Sequence, residues 1–424
     1  MLGALFAQFG GGHRLQDDVN VRVPTSGAPM KAVTWHGTAD VRVEEVPDPF
    51  VQEPTDAVIR ATTTNICGSD LHLYDPLSPF MGKGDILGHE AMGQVVEVGS
   101  QTGDLEVGDR VSIPFQISCG HCWMCSQQLY TQCETTQVRD QGMGAALFGF
   151  SKLYGEVPGG QAECLRVPQA QFTHIKLPDG PPDDRFAYLS DILPTAWQGV
   201  EYAAVPEGGT LVVLGLGPIG DFACRIAQHK GFRVIGVDLV PERLARVAAR
   251  GVEVVDLREH TDDLGDAIRD LTGGRGPDSV LDAVGMEAHG SPTTGFVQKA
   301  AGLLPRALSA PMMKEVGVDR LNALYSAIDI VRRGGTISLS GVYGGAADPI
   351  PMITLFDKQI QLRMGQANIK KWVPEIMPLL GDDDPLGVDS FATHRLPLSQ
   401  APEAYAKFQQ KADGYVKVQL KPEL

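Results

Sequence analysis

Cys119, Cys122, Cys125 and Cys133 crowd into the run CGHCWMCSQQLYTQC, and their C-x2-C-x2-C-x7-C spacing can place four thiolates around one zinc ion. Protein fills every position of such a site, so the metal there is expected to be structural, with no place for a substrate. Spacing this tight and regular, in a chain of 424 residues with no recognisable secretion signal, favours metal over disulfides.

A hydrophobic fraction of 43% is that of a globular protein with substantial cores, and the length suits two or three domains. A formal charge of -16 argues against nucleic acid or an anionic membrane as the main partner and in favour of a small molecule. No apolar run reaches the roughly 20 residues that span a bilayer, so a cytoplasmic location is expected. Residues 1–29 carry no helix or strand pattern and read as a disordered N-terminal extension, while MKAVTWHG, from Met30, reads as a first strand.

From about residue 30 to 191, short Val-rich strands such as AVIRATTTNIC, GQVVEVG and GDRVSIPF alternate with Gly, Pro and Asp turns, which predicts an irregular β-barrel interrupted by the cysteine loop. From 192 to 356 buried strands alternate with helices, through TLVVLGLG, DFACRIAQHKG, RVIGVDL, ERLARVAARG, SVLDAVG and GTISLSG, which predicts a doubly wound parallel sheet. The tail, 357–424, with KQIQLRMG, APEAYAKFQQ and YVKVQL, is expected to rejoin the barrel, leaving the parallel-sheet domain as an insertion. The fold class is therefore α/β plus β.

In LGLGPIG, Gly215, Gly217 and Gly220 follow an apolar strand and open a helix, the context that gives a G-x-G-x-x-G run meaning. Gly215 permits the tight turn, Gly217 lets a pyrophosphate approach the helix N-terminus beside Pro218 and Ile219, and Gly220 allows close packing of helix on strand. Asp238 ends the next strand eighteen residues after Gly220, where a carboxylate accepts ribose hydroxyls and repels a 2'-phosphate, so NAD is favoured over NADP. Arg243 either lies along the ribose or solvates a helix face.

Cys67 and His89, in ICGSDLH and LGHEAMGQVVEVG, are candidate ligands of a second metal ion among glycines that allow a close backbone. Taken in order, CGSDLH, GHE, the cysteine loop, GGQAE and LGLGPIG resemble the zinc-dependent alcohol dehydrogenases of the medium-chain dehydrogenase/reductase superfamily, from Met30 to the C-terminus. The resemblance implies a GroES-like catalytic barrel, a Rossmann domain, two zinc ions per subunit and a catalytic zinc in the cleft held by Cys67 and His89. Where many relatives carry Cys or Glu as third ligand, this chain has Asp191 in LSDILPTAWQG, a departure that resembles the glutathione-independent formaldehyde dehydrogenase branch. Asp191 could instead be an N-cap of the following helix.

On this resemblance, an alcohol or aldehyde hydrate is oxidised by hydride transfer to NAD+, and Ser69 and His72 pass the proton to the surface. Glu90 is either a transient ligand or a supporting carboxylate, and Asp70 is expected to orient a ligand histidine. Phe115 would line the substrate pocket, whereas Cys164 and Cys224 read as buried bystanders. About 48 residues separate DAVG from GGTISLSG, where one loop and one helix would do. An insertion at about 286–330 is therefore expected, either as a cover for the adenosine end of NAD or as an oligomer contact in a dimer or tetramer. A dehydrogenase of larger secondary alcohols or polyols, or a catalytically silent NAD-binding redox sensor, are the competing readings.

Overall fold

In a computed structural model of the chain, the residues described are 29–75, 77–285, 321–343 and 349–422. The expected N-terminal extension, except for its last residue, and the insertion up to residue 320 lie outside them. The end of the insertion is the helix Asn322–Ile330.

Strands β1 (Pro29–Gly37) and β2 (Asp40–Pro47) form an antiparallel hairpin. They are followed by β3 (Ala57–Ile66), β4 (Ala91–Val98), β5 (Arg110–Ile113), β6 (Cys164–Val167) and β7 (Ile175–Lys176). Next come β8 (Thr210–Leu214), β9 (Arg233–Asp238), β10 (Glu253–Asp256), β11 (Ser279–Asp282), β12 (Thr336–Leu339) and β13 (Gln361–Met364). The last are β14 (His394–Pro397) and β15 (Val418–Lys421). A seven-stranded sheet runs β14-β15-β3-β4-β5-β7, with β6 added to β3. This is the GroES-like barrel portion, and the C-terminal strand enters it by pairing Val418 with Ile66.

The second sheet has six parallel strands in the order β10-β9-β8-β11-β12-β13. That is the doubly wound dinucleotide-binding order, and its direction reverses between β8 and β11, where ligands bind beyond the strand ends. TLVVL forms β8 because a strand covered by helices on both faces must be apolar throughout: Leu211, Val212 and Val213 are fully buried.

One boundary differs from expectation. KQIQLRMG was expected to leave with the tail, yet it supplies β13, parallel to β12 with Thr336 opposite Gln361. A short apolar strand carries no address in sequence; the open parallel edge of β12 is what captures it. Only β14 and β15 return to the barrel sheet. No described helix is long and apolar enough to cross a membrane.

Candidate active site

The Cys119, Cys122, Cys125 and Cys133 sulfurs lie within 4.8 Å of one another. The backbone is wrapped so that N–H groups point at sulfur: Cys119 and Cys122 donate to Cys133 and Cys119 Sγ at 3.4 and 3.3 Å, and Glu134 donates to Cys122 Sγ at 3.4 Å. Donors aimed at sulfur stabilise thiolates, so the loop fits a zinc ion.

A second group unites Cys67, His89, Glu90 and Asp191, all buried, with one ligand atom of each within 4.8 Å of the others. Cys67 follows β3 and is the N-cap of the helix Gly68–Tyr74. His89 follows Gly88, whose φ of +100° and contact with Gln161, 2.4 Å from an added Cβ, leave no room for a side chain. Asp191 precedes the helix Ile192–Ala203, but its carboxylate makes no cap to that helix. Instead Oδ1 accepts from Thr195 Oγ1 at 2.7 Å, and Oδ2 faces Cys67 Sγ at 3.3 Å and His89 Nε2 at 3.2 Å. Asp191 thus occupies the N-cap position of the helix without capping it, and its side chain faces the Cys67 and His89 group.

Asp70 stands behind these ligands. Its Oδ1 lies 3.1 Å from His89 Nδ1, leaving Nε2 toward Asp191, and its Oδ2 accepts from Cys67 N at 2.9 Å and Gln161 Nε2 at 3.0 Å. Gln161 in turn accepts from Tyr405 OH at 2.8 Å. Glu90 is held by Lys417 Nζ at 2.7 Å from each oxygen and by Asn65 Nδ2 at 2.8 Å. Both oxygens of its carboxylate are thus engaged by protein donors.

Electrostatically the group calls for a cation. Burial first, then the charges of Asp191 and Glu90, push the Cys67 thiol up to about 12. Burial alone would lower the pKa of His89, but the charge of Asp70 and the hydrogen bonds His89 gives to Asp191 and Asp70 outweigh it and hold the value well above 6.5. A thiol and carboxylates gathered away from water become good ligands once a divalent ion supplies the missing positive charge, so the residues fit a catalytic zinc.

A cavity of about 1580 Å³ joins this group to the dinucleotide end of the parallel sheet. Ser69 lines it, with Oγ 3.2 Å from His89 Nε2, and His72 lines it from the same short helix. Phe115 and Phe150 stand edge-on to the His89 ring at 6.4 and 6.3 Å, forming apolar walls beside the ligands. Cys164 and Cys224 are buried away from both metal groups, as expected.

At the other end, Gly215 turns with φ +84°, and a Cβ on Gly220 would fall 1.8 Å from the Gly215 carbonyl oxygen. Gly217 is the N-cap of the helix Pro218–His229, with Pro218 in its first turn; Gly217, Pro218 and Ile219 line the cavity. The Asp238 carboxylate accepts from the backbone N–H groups of Leu216, Leu239 and Val240 at 2.6, 2.7 and 2.8 Å. Arg243 NH1 is 3.9 Å from Asp238 Oδ2 and 3.6 Å from where a Gly217 Cβ would stand. Arg243 lines the cavity.

Lys417, Asn65, Gln161, Tyr405 and Thr195 were not singled out from sequence. Gln161 lies inside GGQAE, and a lysine amid the apolar alternation of YVKVQL was the available hint of a buried charge.

Fold and site together define a zinc- and NAD-dependent dehydrogenase of the alcohol/aldehyde type. Residues 53–179 match the alcohol dehydrogenase GroES-like domain, and residues 218–298 match the zinc-binding dehydrogenase domain. The chain is 41% identical to an uncharacterized zinc-type alcohol dehydrogenase-like protein of Bacillus subtilis, over 93% of this chain and 100% of that one. It is 34% identical to a formaldehyde dismutase of Pseudomonas putida, over 89% of this chain and 94% of that one. Among solved structures, an alcohol dehydrogenase from Thermus superposes with a TM-score of 0.76 at 32% identity, covering 93% of this chain and 100% of that one. The chain belongs to the zinc-type alcohol dehydrogenases of the medium-chain dehydrogenase/reductase superfamily. No single branch stands out: a glutathione-independent formaldehyde dehydrogenase of Pseudomonas aeruginosa shares 32% identity over 89% of this chain and 94% of that one.

Proposed function

We propose that the chain oxidises a small alcohol or aldehyde hydrate of the formaldehyde type. The observation that carries this reading is Asp191, turned by Thr195 to face Cys67 and His89. Bound there, zinc supplies a Lewis acid for the substrate oxygen, more strongly so with a carboxylate than with a second thiolate, and NAD+ supplies a hydride acceptor. Phe115 and Phe150 narrow the space beside His89 and exclude water. Ser69, within hydrogen-bond reach of His89 Nε2 in a cavity it shares with His72, takes the substrate proton, and His72 carries it outward.

Relatives named formaldehyde dismutase and formaldehyde dehydrogenase support the small substrate. The test is NADH formation by zinc-replete protein offered formaldehyde without glutathione, beside ethanol, longer primary alcohols and a polyol. A higher kcat/KM for formaldehyde supports the reading; a higher value for a polyol or long alcohol assigns the pocket to those substrates. No NADH with any of them, from protein holding both zinc ions, favours a silent NAD sensor.

We also infer a homo-oligomer. Every residue of β13 is exposed at the end of its sheet, and the preceding helix exposes Met352, Ile353 and Phe356, a combination that soluble proteins rarely leave open. Sedimentation of the purified protein at monomer mass would remove this inference.

A further inference from the structure

The segment 365–372 leaves β13 and passes between the catalytic cavity and the four-cysteine lobe. On its cavity side, Gly365, Gln366 and Ala367 line the same cavity as Asp191 and Thr195. Gln198, on the helix that Asp191 opens, grips this segment at several points. Its Nε2 donates to the carbonyls of Gly365 and Gln366 at 3.2 and 3.1 Å, and its Oε1 accepts from Asn368 N at 3.0 Å and Trp372 Nε1 at 3.1 Å.

The opposite side is tied to the lobe twice. Asn368 Oδ1 accepts from Thr131 N at 3.1 Å and from Thr131 Oγ1 at 3.3 Å; Thr131 is buried two residues before Cys133. Lys370 Nζ donates to the carbonyls of Phe172 and His174 at 2.7 and 2.8 Å and sits 4.1 Å from the centre of the Phe172 ring. Phe172 packs on Tyr130 at 5.1 Å and covers Gly120, where a Cβ would meet the ring at 2.4 Å. A lobe folded around its metal thus presses on the back of a strip whose front faces the chemistry.

We propose that the four-cysteine lobe is a positioning element for the nicotinamide end of the cofactor, acting through Thr131, Asn368 and Lys370 on the wall Gly365–Ala367. The proposal rests on the hydride-transfer reading, because transfer requires the reactive end of the cofactor to reach the Asp191 end of the cavity, where this wall stands. The adenosine end, against Asp238 and Arg243, owes nothing to it. Asn368, Thr131 and Lys370 touch no reacting atom in this scheme; they fix the place of the groups that do.

The test compares Asn368→Leu, which removes the shared acceptor, with Asn368→Asp, which retains an acceptor oxygen, each carrying its full zinc content. Binding of NADH, followed by its fluorescence, and of ADP-ribose, which lacks the nicotinamide, is measured by titration. Expected is a loss of NADH affinity of about tenfold in Asn368→Leu, the size of an ordinary hydrogen bond, with ADP-ribose affinity unchanged and NADH affinity largely restored in Asn368→Asp. KM for NAD+ should rise more than kcat falls. Equal weakening of both ligands, or no weakening of either, overturns the proposal. Should Asn368→Leu fail to fold, Thr131→Val, which removes one of the two donors, is read the same way with a smaller expected effect. Wild-type protein that binds ADP-ribose and NADH with equal affinity and reduces no NAD+ would instead defeat the hydride-transfer reading on which the proposal stands.

Discussion

Lys417 Nζ lies 2.7 Å from both carboxylate oxygens of Glu90, and neither side chain is exposed at all. The pair joins the residue just before β15 to the residue that follows His89, so a segment from the end of the chain helps surround the candidate metal group. A buried ion pair adds little net stability, but breaking one leaves a charge without a partner, which costs about 3–5 kcal/mol. Lys417→Met should therefore lower the free energy of unfolding by that amount in urea titrations. Lys417→Met combined with Glu90→Gln should recover most of it; a double variant as unstable as the single one would mean that Lys417 acts chiefly by packing.

Asp191→Asn keeps the shape of the side chain and removes its charge. With Cys67 and His89 left as the remaining strong ligands, zinc measured after dialysis should fall from two ions per subunit to about one, matching the two ligand groups, while the cysteine lobe keeps its own. Retention of both ions would show that Glu90 takes over as ligand.

Asp238→Ser should weaken NAD+ far more than NADP+, because a carboxylate repels a 2'-phosphate. Since Asp238 also accepts three backbone N–H groups, the variant should lose about 1–3 kcal/mol of stability as well. Equal loss of both cofactors in kcat/KM would leave Asp238 with the structural task alone.

His72→Gln should slow turnover most at low pH, where free hydroxide cannot substitute for an imidazole base, and added buffer bases should restore part of the rate. An unchanged pH profile removes His72 from the proton path.

Lys370 offers a stability test. Burial lowers its pKa from 10.5 to about 8. The folded state therefore holds the charged amine at a penalty that is complete below pH 8 and is relieved as pH rises toward 10.5, the range in which the unfolded chain binds more protons. Relative to Lys370→Met, the wild type should gain about 3 kcal/mol of unfolding free energy between pH 7.5 and 10.5, read from denaturant titrations at each pH. A constant difference across that window would place the amine in water.

Much of this architecture is legible in the linear chain because its signals are local. Four cysteines within fifteen residues must meet whatever surrounds them, and LGLGPIG after an apolar strand can turn only in one way, since Gly220 has no room for a Cβ against Gly215. Cys67 and His89 are candidates from their glycine-rich motifs, and Asp191 joins them through the family resemblance. Their meeting, across separations of 102 and 124 residues between Asp191 and its two neighbours, belongs to the fold.

The elements around the site carried no such local signal. KQIQLRMG reads equally well as a strand of either sheet, and the edge of β12 settles it. Lys417 reads as a charge on a strand until β15 docks beside β3 and brings it to Glu90, 327 residues away in sequence. Gln161, Tyr405, Asn368 and Gln198 are ordinary polar residues whose hydrogen-bond partners lie far along the chain. Local chemistry, which depends on spacing within a loop or a turn, was written in the order of residues. Which distant polar groups satisfy one another in a water-free interior was set by three-dimensional packing, because a buried donor or acceptor is stable only where its partner is brought to it.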